Sequence, residues 1–185
     1  MESLDSPLLR MRIGAPETIT LDAAGDGVEL SGDGRESAGV VRESAALVEL
    51  ARGRQARTIA IGFGRDAGVR DTVRVLADGW EAQGGEAVLE LSWPEVAASW
   101  LRQATRFAAA DPDLWIMFGP PLGWAQMTRR LLWSTPWDPA RTLLSGALSD
   151  RRVLDLVGLH NLSGIAGVTR DGSRWELGGG RGFGL

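Results

Sequence analysis

From Thr58 to Trp133 a short apolar run followed by a helix-length amphipathic stretch occurs three times. The first pair is Thr58-Ile-Ala-Ile-Gly-Phe63 and Asp66 to Gln83. The second is Glu86 to Leu91 and Ser92 to Ala110, and the third is Leu114 to Phe118 and Pro121 to Trp133. Strand-length runs alternating with helices predict a parallel sheet, because successive parallel strands need a crossover. In the helix after Asp66, the residues Val69, Thr72, Val73, Leu76 and Trp80 recur on one side, and Arg70, Asp71, Arg74, Asp78 and Glu81 take the other. The first set reads as core and the second as a solvated face. The next stretch is expected to be helical from Ser92. There Ser92 and Glu95 have the spacing of a capping box, Pro94 falls in the first turn, and Trp93, Val96, Trp100, Ala104 and Phe107 share a side.

Upstream, a helix is predicted over Ser37 to Arg52, and residues 1–36 read as an arm or small hairpin rich in Gly, Asp and Ser. Downstream, Trp133 to Pro139 is turn-rich. It leads to a strand near Arg141 to Ser145 and a helix near Asp150 to Val157. A hairpin follows, from Gly164 to Thr169 and Arg174 to Leu177, around Asp171-Gly172. The tail 178–185 has too few side chains to pack. The expected fold is an α/β three-layer sandwich with a mostly parallel central sheet, occupying residues 37–177. In such sheets ligands bind beyond the carboxyl ends of the strands, which singles out the loops Gly62–Asp66, Leu91–Pro94 and Phe118–Gly123.

Composition narrows the chemistry. A chain of 185 residues with net charge −4 has no general attraction for nucleic acid or acidic membrane. It contains no lysine, tyrosine or cysteine, which excludes Schiff-base lysines, cysteine nucleophiles, thiolate metal sites and disulfides. Lysine-free, Arg- and Gly-rich usage is also what a genome rich in G and C produces. The first ten residues carry acids where a secretory signal carries bases, and no run reaches the roughly 18 apolar residues of a membrane span. The expected location is therefore cytoplasmic.

The order of parts from Ser44 to Leu177 resembles one lobe of the type I periplasmic-binding fold, especially the substrate-binding proteins of branched-chain amino acid ABC transporters. The resemblance rests on Leu47-Val-Glu-Leu-Ala-Arg-Gly-Arg54 before the first strand and on the Gly-containing turn Trp80-Glu-Ala-Gln-Gly-Gly85. It rests also on Ala110-Asp-Pro-Asp-Leu-Trp-Ile-Met-Phe-Gly119 and on Gly164-Ile-Ala-Gly-Val-Thr-Arg-Asp-Gly172. It implies ligand binding without catalysis. That family has two lobes that close on a ligand, so it also implies that a partner protein or a second copy supplies the other wall, or that ligand capture has been lost.

Five residues are candidates for the site. Phe63 and Arg65 lie in the loop after the first strand, where Arg65 can pair with an anion in bidentate fashion. Gly119 would admit a close approach after the third strand, Trp124 would supply an aromatic wall, and Ser145 would hydrogen bond after the fourth. The same first loop, Gly62-Phe-Gly-Arg-Asp-Ala-Gly68, matches Gly-x-Gly-x-x-Ala. With Glu90 on the second strand it leaves open an NAD(P)-binding oxidoreductase, although Asp66 would repel a phosphate. A third reading is a self-associating interaction module with a Trp-bearing apolar patch formed by residues such as Trp133 and Trp137. His160, the single histidine, has no elbow or metal-pair motif beside it, and the stretch Asp22 to Asp33 lacks the ligands of a calcium loop. No cofactor or metal is expected.

Overall fold

The computed structural model describes residues 32–178. In chain order its main elements are α1 (Gly32–Gly53), β1 (Thr58–Gly64), α2 (Ala67–Glu81), β2 (Glu86–Trp93), α3 (Leu101–Ala109) and β3 (Leu114–Phe118). They continue as α4 (Pro121–Ser134), β4 (Thr142–Leu144), α5 (Arg151–Asp155), β5 (Ala166–Val168) and β6 (Arg174–Glu176). The first helix starts at Gly32, so residues 32–36 of the expected arm are its opening turn. The rest of that arm and the tail beyond 178 lie outside the described residues.

The strands form one sheet in the order β2-β1-β3-β4-β5-β6. Every neighbouring pair is parallel except β5 and β6, which form the expected hairpin. One face is covered by α1 and α2, where Leu47, Val48, Leu76 and Trp80 pack on Ile59, Ile61 and Ile116. The other is covered by α3, α4 and α5, where Phe107, Trp124, Met127 and Leu154 pack on Ala60, Trp115 and Met117. Both faces are therefore dry, which is why β1 and β3 read as continuous apolar runs rather than as alternating ones. Among the described residues no helix is long and apolar enough to cross a membrane.

The amino edge is tied by polar contacts. The Asp113 carboxylate accepts hydrogen bonds from the Arg57 and Thr58 N–H groups at 2.8 and 2.9 Å, and its own N–H donates to Thr58 Oγ1 at 2.9 Å. These bonds hold the Asp113 carboxyl below its ordinary range.

The α3 segment differs from expectation. After β2 the chain runs as a loop from Pro94 to Trp100 and turns helical only at Leu101. Glu95 does not cap Ser92, because it is drawn away to the ends of β1 and α4, and Val96 is 89% exposed rather than core. The loop is closed on itself by Trp100 Nε1, which donates to the Pro94 carbonyl at 3.0 Å.

Gly62 sits in the middle of the buried face that α3 covers. A Cβ there would come within 2.7 Å of both the Phe107 and Trp93 rings, which pack edge to face at 6.4 Å. Gly62→Ala is expected to destabilise the chain by about 1 to 3 kcal/mol through overpacking. Urea unfolding measures this, and an unchanged midpoint would show that α3 can move away freely.

Candidate functional site

The strand order reverses at β1, which has β2 on one side and β3 on the other, so the crevice of an open α/β sheet should lie beyond these strands. Here that crevice is filled from within. Gly119, with φ +126°, brings the end of β3 so close to β1 that a Cβ on it would stand 2.8 Å from the Gly64 nitrogen. The Glu95 carboxylate then lies over Gly64 and Gly123, and a side chain on either glycine would run into it. Its Oε1 is shielded from solvent and has no hydrogen-bond partner among the described residues. Burial pushes the Glu95 carboxyl up from its ordinary value. The Gly123 N–H opposes this rise, and the Asp66 carboxylate adds to it.

A second carboxylate of the chain occupies the next position along this edge. Glu43, from α1, accepts a hydrogen bond from the Gly146 N–H at 2.8 Å just after β4. Burial raises its carboxyl, against the pull of that hydrogen bond and of Arg170. At the start of α2 the Asp66 side chain accepts from the Gly68 N–H at 3.0 Å, so that helix terminus also carries an internal acid. The glycines of the Gly-x-Gly-x-x-Ala match are thus taken up by internal packing. Gly62 faces aromatic rings, Gly64 faces Glu95, and the phosphate position is held by carboxylates.

Two open grooves flank the outer strand β2. One, against α3, is lined by Arg65, Glu90, Ser92, Arg102, Gln103 and Arg106, with Leu91 at its floor. The Arg65 N–H donates to the Trp93 carbonyl at 3.0 Å, which extends the β1–β2 ladder and fixes this residue's backbone. Its Nε donates to Ser92 Oγ at 3.3 Å. The other groove, against α2, is lined by Phe63, Arg70, Arg74, Asp78, Glu81 and Glu90 among others.

The five residues singled out from sequence therefore divide. Phe63, Arg65, Gly119 and Ser145 all reach the carboxyl edge, but they do not converge. Phe63 is 7% exposed and borders the α2 groove, whereas Arg65 borders the α3 groove. Gly119 does admit a close approach, by the backbone of Gly64. Trp124 is fully buried in the core over β3, so its ring face is not presented to a ligand. Ser145 is 2% exposed, and its hydroxyl is buried without a partner among the described residues. Glu90 borders both grooves. Trp137 is buried and Trp133 is exposed at the far end of α4 from Leu122, so the two tryptophans do not form one patch. His160 lies on the surface, and no group of three or more metal-ligating acids or histidines occurs among the described residues.

Sequence reasoning passed over Glu95, Glu43, Arg102 and Arg106. The last two had a visible signal, since they stand four apart on the side of α3 away from Ala104 and Phe107. Glu95 had none, because its partners Gly64 and Gly123 are distant in sequence.

The fold is that of one lobe of a type I periplasmic-binding protein. Among solved structures, an extracellular ligand-binding receptor from Rhodopseudomonas palustris superposes with a TM-score of 0.60 at 16% identity, covering 71% of this chain and 36% of that one. A branched-chain amino acid ABC transporter periplasmic ligand-binding protein from Burkholderia xenovorans gives 0.55 at 13% identity, over 71% and 34%. A solute-binding protein of an ABC transporter from R. palustris, solved in complex with 4-hydroxybenzoate, gives 0.58 at 15% identity, over 69% and 35%. The chain thus spans about a third of the length of these neighbours. No family model and no curated protein matches it.

The raised Glu95 carboxyl has a measurable sign. Between the ordinary value of 4.5 and its raised folded value, the folded chain holds a proton that the unfolded chain has lost. Stability should therefore fall as pH rises from 4.5 through that window. Glu95→Gln removes this share of the slope and leaves the share from Glu43. Urea unfolding between pH 4.5 and 7 reads it, and an identical slope in the variant would mean that Glu95 is not desolvated.

Proposed function

We propose that this chain is a non-catalytic ligand-binding or sensing domain that takes a small anionic molecule at the carboxyl edge of its sheet, with Arg65 as the anchor. The observation that carries this reading is the groove between β2 and α3. Arg65 is held there by the strand ladder, makes no ion pair among the described residues, and stands beside the Ser92 hydroxyl. A guanidinium with a fixed backbone and open faces suits a carboxylate, which it can meet with two parallel N–H donors. The fold supports the same reading, as do neighbours whose names describe ligand or solute binding, one of them solved with an aromatic carboxylic acid bound.

A second wall for this edge would come from another copy of the chain or from a partner protein. Val96 and Leu122, 89% and 71% exposed, favour such coverage, because one stands beside Glu95 and the other beside Gly123 at the sealed crevice. If a second copy covers them, sedimentation should find a dimer that Val96→Asp with Leu122→Asp converts to monomer. A wild-type chain that stays monomeric at its highest soluble concentration removes self-association from this reading.

Thermal unfolding against amino acids, 4-hydroxybenzoate, small carboxylates and NAD(P) tests the binding reading, since a ligand at a hundred times its Kd stabilises by about 2.7 kcal/mol. Removing a charge-assisted contact costs about 1.5 to 3 kcal/mol, so Arg65→Ala should raise the Kd of the responding acid by about ten- to a hundredfold. A response to NAD(P) alone, or an acid response that Arg65→Ala leaves intact, would overturn the assignment.

A further inference from the structure

We infer that the ligand of this groove carries two separated anionic groups, one held by Arg65 at the end of β1 and the other by Arg102 and Arg106 on α3. The inference rests on the binding reading above and names the class of molecule, a dicarboxylate or a phosphorylated acid.

Charge balance is the first reason. The groove against α3 presents three guanidinium groups and one carboxylate, Glu90. The neighbouring groove against α2 sets Arg70 and Arg74 against Asp78, Glu81 and Glu90, so its acids outnumber its bases. The same edge strand thus has a net acidic groove on one face and a net basic one on the other, in a chain whose net charge is −4. In a chain without lysine the choice of arginine carries no information, but its placement does.

The second reason is helix electrostatics. Arg102 lies in the first turn of α3, which holds no acid, and Arg106 lies one turn further on, about 6 Å along the axis. A cation in the first turn opposes the helix dipole, and like charges four residues apart repel. Both effects are unfavourable, and both are relieved by an anion between the two side chains. No ion pair formed by Arg102 or Arg106 is present among the described residues.

The third reason is geometry. Ala104, Phe107 and Ala108 anchor α3 in the core, so its outer face is set at a fixed distance from β2. Arg65 is set on the strand side by its backbone bond to Trp93, and Gln103 and Ser92 place neutral hydrogen-bonding groups in the same groove. Positive groups on two separately fixed walls favour a molecule with charge at both ends over a single small anion.

The test is calorimetric titration of the full chain at pH 7 with succinate, glutarate and inorganic pyrophosphate, against acetate, all at one ionic strength set with chloride. At least one dianion should bind tenfold or more tightly than acetate. Arg102→Glu with Arg106→Glu should bring that dianion down to the level of acetate, and Glu90→Gln should tighten it. Both arginines are on the solvent face of α3. If the reversal nonetheless fails to fold, Arg102→Gln with Arg106→Gln serves in its place. A dicarboxylate response separates this source of charge from phosphate, which pyrophosphate reports. If acetate or 4-hydroxybenzoate binds in an Arg65-dependent way and no dianion binds more tightly, this inference falls and the binding reading stands. If no anion binds the wild-type chain, both fall.

Discussion

The approach of β3 to β1 at the carboxyl edge governs the shape of everything a ligand could reach. Gly119 lies against the Gly64 backbone at a distance that no side chain on Gly119 would permit, and its φ of +126° is one that glycine adopts without strain. The crevice that an open sheet forms where its strand order reverses is thereby reduced to a slot, and the Glu95 carboxylate fills it. A carboxylate with one shielded oxygen and, among the described residues, no partner for it is unfavourable where it lies, and burial pushes it towards the protonated form. That cost is carried by the packing around it. Two glycines on separate elements leave the space, and the loop that delivers Glu95 is pinned by Trp100.

The helix that follows is also displaced. Ser92 and Trp93 are paired with β1 as the end of β2, so the chain cannot turn helical at Ser92; the loop after them carries Glu95 over Gly64 and Gly123, and α3 begins at Leu101. The shortened helix is held by Ala104, Phe107 and Ala108 and by the Trp115 Nε1–H bond to the Phe107 carbonyl, and its opening turn, with Arg102, is left beside the outer edge of β2. The open surface beside β2 is therefore displaced one strand outward from the reversal point between β1 and β3, and a further groove lies after β4 and β5, lined by Gly146, Asp150, Thr169 and Arg170 among others. A reading that looked only to the reversal point would find it occupied by the protein itself.

This displacement also explains what the sequence did and did not disclose. Strand cores such as Thr58–Phe63 and Leu114–Phe118, and the hairpin about Asp171-Gly172, were legible because each is set by local apolar runs and turn residues. The α/β layering followed from their alternation with amphipathic stretches. Ser92-x-x-Glu95 was misread because a capping box and a tertiary carboxylate contact use the same residues, and only the distant Gly64 and Gly123 decide between them. Trp124 has the helical spacing of a core residue and the chain position of a pocket residue, and its full burial resolves the ambiguity in favour of the core. The position of Arg65 at the carboxyl edge was legible because strand ends are predictable from local pattern. The arginines opposite it were not found, because a polar helix face looks the same whether it meets solvent or a groove.

The arginines also differ by edge. At the amino edge, Arg54 pairs with Glu176 at 3.1 Å and donates to the Ala140 carbonyl at 2.8 Å. Arg141 pairs with Asp111 at 3.1 Å, lies over the Trp115 ring at 4.6 Å and donates to the Pro112 carbonyl. Each of these guanidinium groups joins segments that are distant in sequence, through two hydrogen bonds from Arg54 and three from Arg141. Among the described residues Arg65, Arg102 and Arg106 join nothing in this way, apart from the single Arg65 side-chain contact with Ser92. Exposed arginines are ordinarily solvated and need no partner, so their freedom alone would say little. What distinguishes them is that two elements with independently fixed positions turn three of them into one groove, beside a fold otherwise cross-linked by its own charges. An electrostatic surplus held open by rigid walls is the arrangement that an anionic ligand can use without first breaking a contact of the folded chain.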